Sequence, residues 1–231
     1  MEGMDSRAAL EATMRQRTIT DWQTGFWTAF LLSLITCGIY GLYVLYKLMD
    51  RRQQHFERMV SMRYYLIQML REKAQAAGQL DELATEISQL EGMHLQSTNR
   101  DREGEKNPIM WLVLGIATSV TNFYVYYFLN DDFRAHEANE RIFMMRASEV
   151  MQRLGITYQQ IVPNMAVPER NFVTFLILTF ITCGIYGVYW WYTLIEDGNN
   201  HFNNHAMWEN QVYAIVSGQG EAAAGPGYQQ Y

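Results

Sequence analysis

The chain has 231 residues, with 18 Lys plus Arg against 24 Asp plus Glu, a net charge of −6. That length provides one domain or two small ones, and the acidic balance argues against a nucleic-acid partner. Apolar residues make up 49% of the chain and mean hydropathy is −0.19, averages that suit a soluble protein and conceal how unevenly the apolar residues are placed.

Residues 1–24 form a polar arm with charges of both signs and no apolar stretch of a cleavable leader. A first membrane segment is predicted at 25–49, because Phe26–Tyr46 holds no charged residue. Residues 50–107 read as a helical extramembrane insertion and loop. Met59, Met62, Leu66 and Met69 keep a three-four spacing, Gly78 interrupts, and Leu80, Leu83, Ile87 and Leu90 then form an a/d stripe. The stripe predicts a helical pair packing on itself, with an intermolecular coiled coil as the alternative. Residues 96–107 are polar and mixed in charge, hence a loop.

A second segment is predicted at 108–129, spanning or re-entrant, since its centre is Thr118-Ser119-Val120-Thr121-Asn122. Residues 130–171 give an amphipathic helix ended by Gly155, then a connector with Pro163 and Pro168. The third segment is 172–195, a polar juxtamembrane helix is expected at 196–216, and 217–231 is a low-complexity, disordered tail. A helix rises about 1.5 Å per residue, so about 20 apolar residues cross a bilayer core. The expected fold is therefore all-α: an integral membrane protein with three apolar helices and extramembrane amphipathic helices.

The first and third segments are copies. LITCGIYGLYVLYKLMD recurs as FITCGIYGVYWWYTLIE 146 residues later, and His55-Phe56 is answered by His201-Phe202. The middle segment is an eroded copy, in which Tyr43, Tyr46, Asp50 and His55 become Tyr124, Tyr127, Asp131 and His136. Cys37 and Cys183 hold matching places, as duplicated core residues rather than a disulfide pair. Gly38 and Gly41, with Gly184 and Gly187, are expected to form a packing notch or mild kink rather than a full helix break. Tyr40, Tyr43, Tyr46, Tyr186, Tyr189, Trp190 and Trp191 follow the glycines and fit an aromatic belt at headgroup level.

Thr36-Cys37-Gly38-Ile39-Tyr40-Gly41-Leu42-Tyr43, repeated from Thr182 to Tyr192, resembles the signature of a bacterial membrane family known as domain of unknown function 4234. Arg170-Asn171 fits the family's lead-in, Val44 departs from its Trp, and residues 56–105 look like an insertion. The resemblance implies a multi-pass protein of the bacterial cytoplasmic membrane. It supplies no activity and no catalytic residues.

No hydrolase, P-loop or dinucleotide motif is present, and no charged side chain lies inside an apolar window. The expected function is non-enzymatic, without cofactor: a scaffold or accessory subunit in the lipid bilayer, packing with its own copies or another membrane protein. A channel or transporter component with a path between the repeats is an alternative. Another is metal binding. Each copy carries an acid five residues before a histidine (Asp50/His55, Asp131/His136, Glu196/His201), pairs that converge if the copies share an axis. Asp197, His201 and His205 also lie at i, i+4, i+8 on one helix face. Lys and Arg number three in the N-terminal arm, ten in 47–107, five in 130–171 and none after 195. That distribution places the C-terminus outside and conflicts with a spanning middle segment.

Overall fold

The computed structural model describes residues 5–98 and 104–218. Its elements are α1 (Ser6–Arg15), α2 (Arg17–Thr20), α3 (Phe26–Ile35), α4 (Ile39–Ala76), α5 (Leu80–Thr98), α6 (Pro108–Thr118), α7 (Thr121–Arg153), α8 (Phe172–Ile181) and α9 (Ile185–Val216). There is no strand among the described residues. The centre of the 96–107 loop and all but the start of the predicted disordered tail at 217–231 lie outside them.

The three apolar segments do not form three membrane-crossing helices. Each is broken near its middle, and no helix among the described residues is long and apolar enough to cross a membrane. The first break follows Ile35 and the third follows Ile181. In each, a cysteine and the glycine after it take the left-handed conformation: Cys37 at φ 50° and Gly38 at φ 93°, Cys183 at φ 49° and Gly184 at φ 93°. An αL residue cannot continue a right-handed helix, and glycine takes that conformation without steric penalty. The turn closes its own backbone. Gly38 N donates to Ser33 O at 2.7 Å and Gly184 N to Thr179 O at 2.8 Å, the six-to-one bond of a Schellman motif. Thr36 Oγ1 donates to Leu32 O, which also accepts from Thr36 N, and accepts from Tyr40 N, satisfying an orphan donor at the start of the second arm. Thr182 does the same between Leu178 and Tyr186. The expected notch or mild kink is thus a complete chain reversal. The polar centre of the middle copy does the same work, with Ser119 at φ 45°.

Each reversal makes a helical hairpin: α3 with α4, α6 with α7, α8 with α9. The first arms are short and apolar. Asn107 and Asn171 cap two of them, accepting from Ile109 and Met110 N and from Thr174 N. The second arms run without interruption into the polar sequence, so α4, α7 and α9 reach 38, 33 and 32 residues. Helix boundaries therefore fall inside the apolar windows, not at positions 49, 129 and 195.

The three long helices form a bundle with distinct layers. Nearest the hairpin tips, Phe26, Ala29, Val44, Leu48, Val125, Phe128, Phe175 and Trp190 pack into one apolar cluster fed by all three hairpins. At the opposite end, Met59, Met62, Leu66, Phe143, Ala147, Met151, Trp208 and Val212 form a second core. There α1 adds Leu10 and Met14, and α5 adds Leu83, Ile87 and Leu90. The a/d stripe is consequently buried within the chain. Between the two apolar cores lies a layer of buried polar and charged groups.

Candidate functional site

The middle layer is built from the residues that follow each hairpin. Four arginines of α4 (Arg51, Arg52, Arg58 and Arg63) are buried there. They occupy the inward-facing row of a 3.6-residue period that continues into Met59, Met62 and Leu66. Arg52 pairs with Asp132 of α7 at 2.8 Å, and Lys106 meets the same carboxylate at 2.7 Å. Arg51 Nη2 donates to Leu194 O and Ile195 O, each at 3.0 Å. It reaches them because position 198 is glycine; a Cβ there would overlap the guanidinium. Burial pushes the Arg51 pKa down to about 9, which still leaves it charged at neutral pH.

At the centre of this layer stand four histidines, His55 of α4, His136 of α7, and His201 and His205 of α9, all fully buried. Their ring centroids lie between 4.2 Å (His201–His205) and 5.5 Å (His136–His201 and His136–His205) apart. One nitrogen from each ring falls in a group whose members all lie within 4.8 Å of one another. Phe56, Phe133 and Phe202 pack beside them.

Carboxylates back these imidazoles. His55 Nδ1 is 2.9 Å from Asp21 Oδ1 and His201 Nδ1 is 2.9 Å from Glu137 Oε1. His136 Nε2 lies 3.6 Å from Glu140 Oε1, and His205 lies 3.5 Å from Glu140 and 3.4 Å from Glu209. Asp21 arrives from the N-terminal arm, which folds back beside α4. Glu137 is held from behind by Ala166 N and Val167 N of the connector, at 2.9 and 3.0 Å. Burial lowers the pKa of His201 and holds those of His55 and His205 well below the ordinary imidazole value, with neighbouring imidazoles adding to the effect for the latter two. These three rings are therefore neutral at pH 7, the form in which a ring nitrogen offers a lone pair.

The histidine position that follows each acid by five residues is thus where the copies meet, but Asp50 does not join it. Asp50 pairs with Lys47 at 2.6 Å. Asp197, expected beside His201 and His205, instead holds Arg170 through two bonds of 2.5 and 2.7 Å. Sequence reasoning missed Asp21, Glu137, Glu140 and Glu209. Their only signal was helical spacing, His136–Glu140 and His205–Glu209 at i, i+4; Asp21 had none.

The glycines divide by role. Gly38 and Gly184 make the reversals, whereas Gly41 and Gly187 give room within the hairpin for Ser33 and Thr179. In the middle hairpin the arms exchange roles, and Gly115 accommodates Asn122. Of the expected aromatic belt, Tyr43 and Tyr189 are exposed and Tyr40, Tyr46, Tyr186 and Trp191 half-buried. Trp190 is buried and donates to Asn130 Oδ1 at 2.9 Å. Both cysteines are free and exposed at the hairpin tips.

Both copies of the reversal motif Thr-Cys-Gly-Ile-Tyr-Gly lie within the residues that a family profile matches. The profile of a family described as domain of unknown function, DUF4234, matches residues 24–127 and 170–218, more than half of the chain. The chain belongs to the DUF4234 family. The first matched stretch runs through residues 56–105, and the two stretches leave out 128–169, the polar part of α7 and its connector. No curated protein and no solved structure gives a significant match.

Proposed function

We propose that this DUF4234 chain is a non-enzymatic anchor that docks on a lipid bilayer by inserting three helical hairpins into one leaflet, none of them crossing it. The observation that carries this reading is the exposure of apolar side chains at every tip: Ile35 and Ile39 at 77% and 71%, Ile181 and Ile185 at 72% and 76%, and Val120 at 72%. They continue along the outer faces as Trp27, Leu31, Leu34, Val113, Ile116 and Phe180. Scattered exposed apolar residues are ordinary, but a contiguous set of this extent marks a surface that meets lipid or another protein.

Three physical points favour lipid. A ten-residue arm is about 15 Å long, half of the roughly 30 Å hydrocarbon core. Irregular backbone is tolerated at membrane depth only when its polar groups are satisfied, and the Thr-Cys-Gly turns satisfy theirs internally. Exposed Tyr43, Tyr124, Tyr189 and Tyr192 lie further from the tips, toward Lys47, Lys106 and Arg170 at the hairpin bases, the order expected of an interface. The polar bundle then stands outside the leaflet, available as a scaffold.

Flotation of the purified chain with phosphatidylcholine–phosphatidylglycerol vesicles tests the reading. The wild-type chain is expected to float, and Ile39→Lys with Ile185→Lys to stay at the bottom of the gradient while keeping its helical circular dichroism. In a cysteine-free background, Gln23→Cys and Glu57→Cys should both react with an impermeant maleimide added outside. Reaction of one and protection of the other would show a crossing segment and reject the hairpin arrangement.

A further inference from the structure

We propose that His55, His136, His201 and His205 form a site for one first-row divalent transition metal of the zinc class, which ties the three long helices together. The site is independent of bilayer docking, since it lies in the polar layer below the hairpins.

The argument begins with two nitrogens. His55 Nε2 and His201 Nε2 face each other at 3.0 Å. The opposite nitrogen of each ring is 2.9 Å from a carboxylate oxygen, of Asp21 and Glu137 respectively. A carboxylate accepts, so each Nδ1 carries the proton and each Nε2 presents a lone pair. Arg58 Nη2 also approaches His55 Nδ1 at 3.3 Å. Its two hydrogens are already given to Asp21 Oδ2 at 3.0 Å and Glu209 Oε1 at 2.9 Å. Two lone pairs pointed at one another across 3.0 Å repel unless a cation lies between them. Two imidazole nitrogens on a tetrahedral zinc, each about 2.0–2.1 Å from it, stand roughly 3.3 Å apart, so a small relaxation of this pair suffices.

The surroundings supply the rest of a metal site. His205 and His136 bring two further nitrogens within 4.8 Å. His205 Nδ1 is buried and makes no hydrogen bond, its carboxylate neighbour Glu209 Oε1 standing 3.4 Å away. The carboxylates bonded to His55 and His201 are the arrangement that fixes tautomer and raises ligand basicity in histidine–metal centres. Nitrogen donors select zinc, cobalt, nickel or copper over magnesium and calcium, which take oxygen ligands. The alternative is a hydrogen-bonded histidine core in which one ring keeps an extra proton between His55 and His201. A metal titration separates the two.

The 231-residue chain, stripped with chelator and checked for helical content, is titrated with Co2+ and then Zn2+. About one equivalent of either is expected per chain, with the visible absorption of nitrogen-ligated cobalt, displaced by zinc. The pair His55→Gln with His201→Gln should lose this uptake. His94→Gln, which changes the one histidine outside the cluster, should keep it. Glu137→Gln should weaken affinity about 10–100-fold. A folded wild-type chain that takes up neither ion, or a double variant that binds as well as the wild type, would overturn the proposal. The wild-type titration decides the matter even if the double variant fails to fold.

Discussion

Gly38 and Gly184 stand at φ 93° with no atom near the space a Cβ would fill. Alanine there meets backbone strain alone, of about 1–2 kcal/mol. Gly38→Ala should lower the urea midpoint by that amount in stability and leave the helical signal intact. Gly198 is constrained in the opposite way, since its Cβ would overlap Arg51. Gly198→Ala should displace a buried guanidinium from two carbonyls and destabilise by about 3–5 kcal/mol, more than Gly38→Ala in the same denaturation assay. The histidines set a pH dependence in metal-free protein. His55, His201 and His205 are held below the ordinary value of 6.5 by burial. The unfolded chain therefore binds more protons than the folded one once the pH drops below 6.5, and stability falls on acidification. Asp21 and Glu209 are raised by burial and act in the opposite sense, from ordinary values of 3.8 and 4.5. Between about pH 7.5 and about pH 5.5 acidification crosses the unfolded histidine value, so the histidines lower the urea midpoint of the chelated chain, while the raised carboxylates oppose the fall above their unfolded values. His205→Gln should therefore reduce the fall, and a pH dependence that this variant leaves unchanged would contradict the burial of a neutral imidazole there.

At the scale of elements, the repeat was legible and its shape was not. Helical content, the interruption at Gly78, the end at Gly155 and the buried stripe of α5 follow from period and glycine placement. The reversal does not, because an uncharged run of more than 20 residues reads as one helix whether or not it breaks. Two glycines three apart suit a packing notch, and here only the second of each pair is one. The deciding residue is Thr36, whose hydroxyl serves both arms, a role invisible without the turn itself. The site was half legible for a similar reason. His55, His136 and His201 share a repeat position and so converge. Asp21 and Glu137 reach them through tertiary packing that no local pattern records. The burial of Arg51, Arg52, Arg58 and Arg63 carried no local signal either, since charge between apolar segments ordinarily faces solvent. Leu83→Ala offers a test of α5: buried at the α4–α7 seam, it should cost about 2–5 kcal/mol within a single chain. Unchanged stability in dilute monomer would return the stripe to an intermolecular coil.

For the whole molecule, three hairpins place one apolar core and all their tips at one end, a charged and histidine-rich layer at mid-height, and a second apolar core beyond it. The polar layer carries its own cross-links. Arg58 holds Asp21 of the arm and Glu209 of α9 at 2.9–3.0 Å, so Arg58→Met strands two buried carboxylates and should destabilise by about 3–5 kcal/mol in urea denaturation. The long helices are thereby fixed to one another independently of what the tips touch. The most direct measurement of the tips uses the native cysteines, both exposed at the reversals. A nitroxide attached to Cys37 or Cys183, with vesicles present, should be more accessible to oxygen than to a water-soluble nickel complex, at a depth of about 15 Å below the headgroups. A label that stays as accessible to the nickel complex with vesicles as without them would contradict docking by the hairpins.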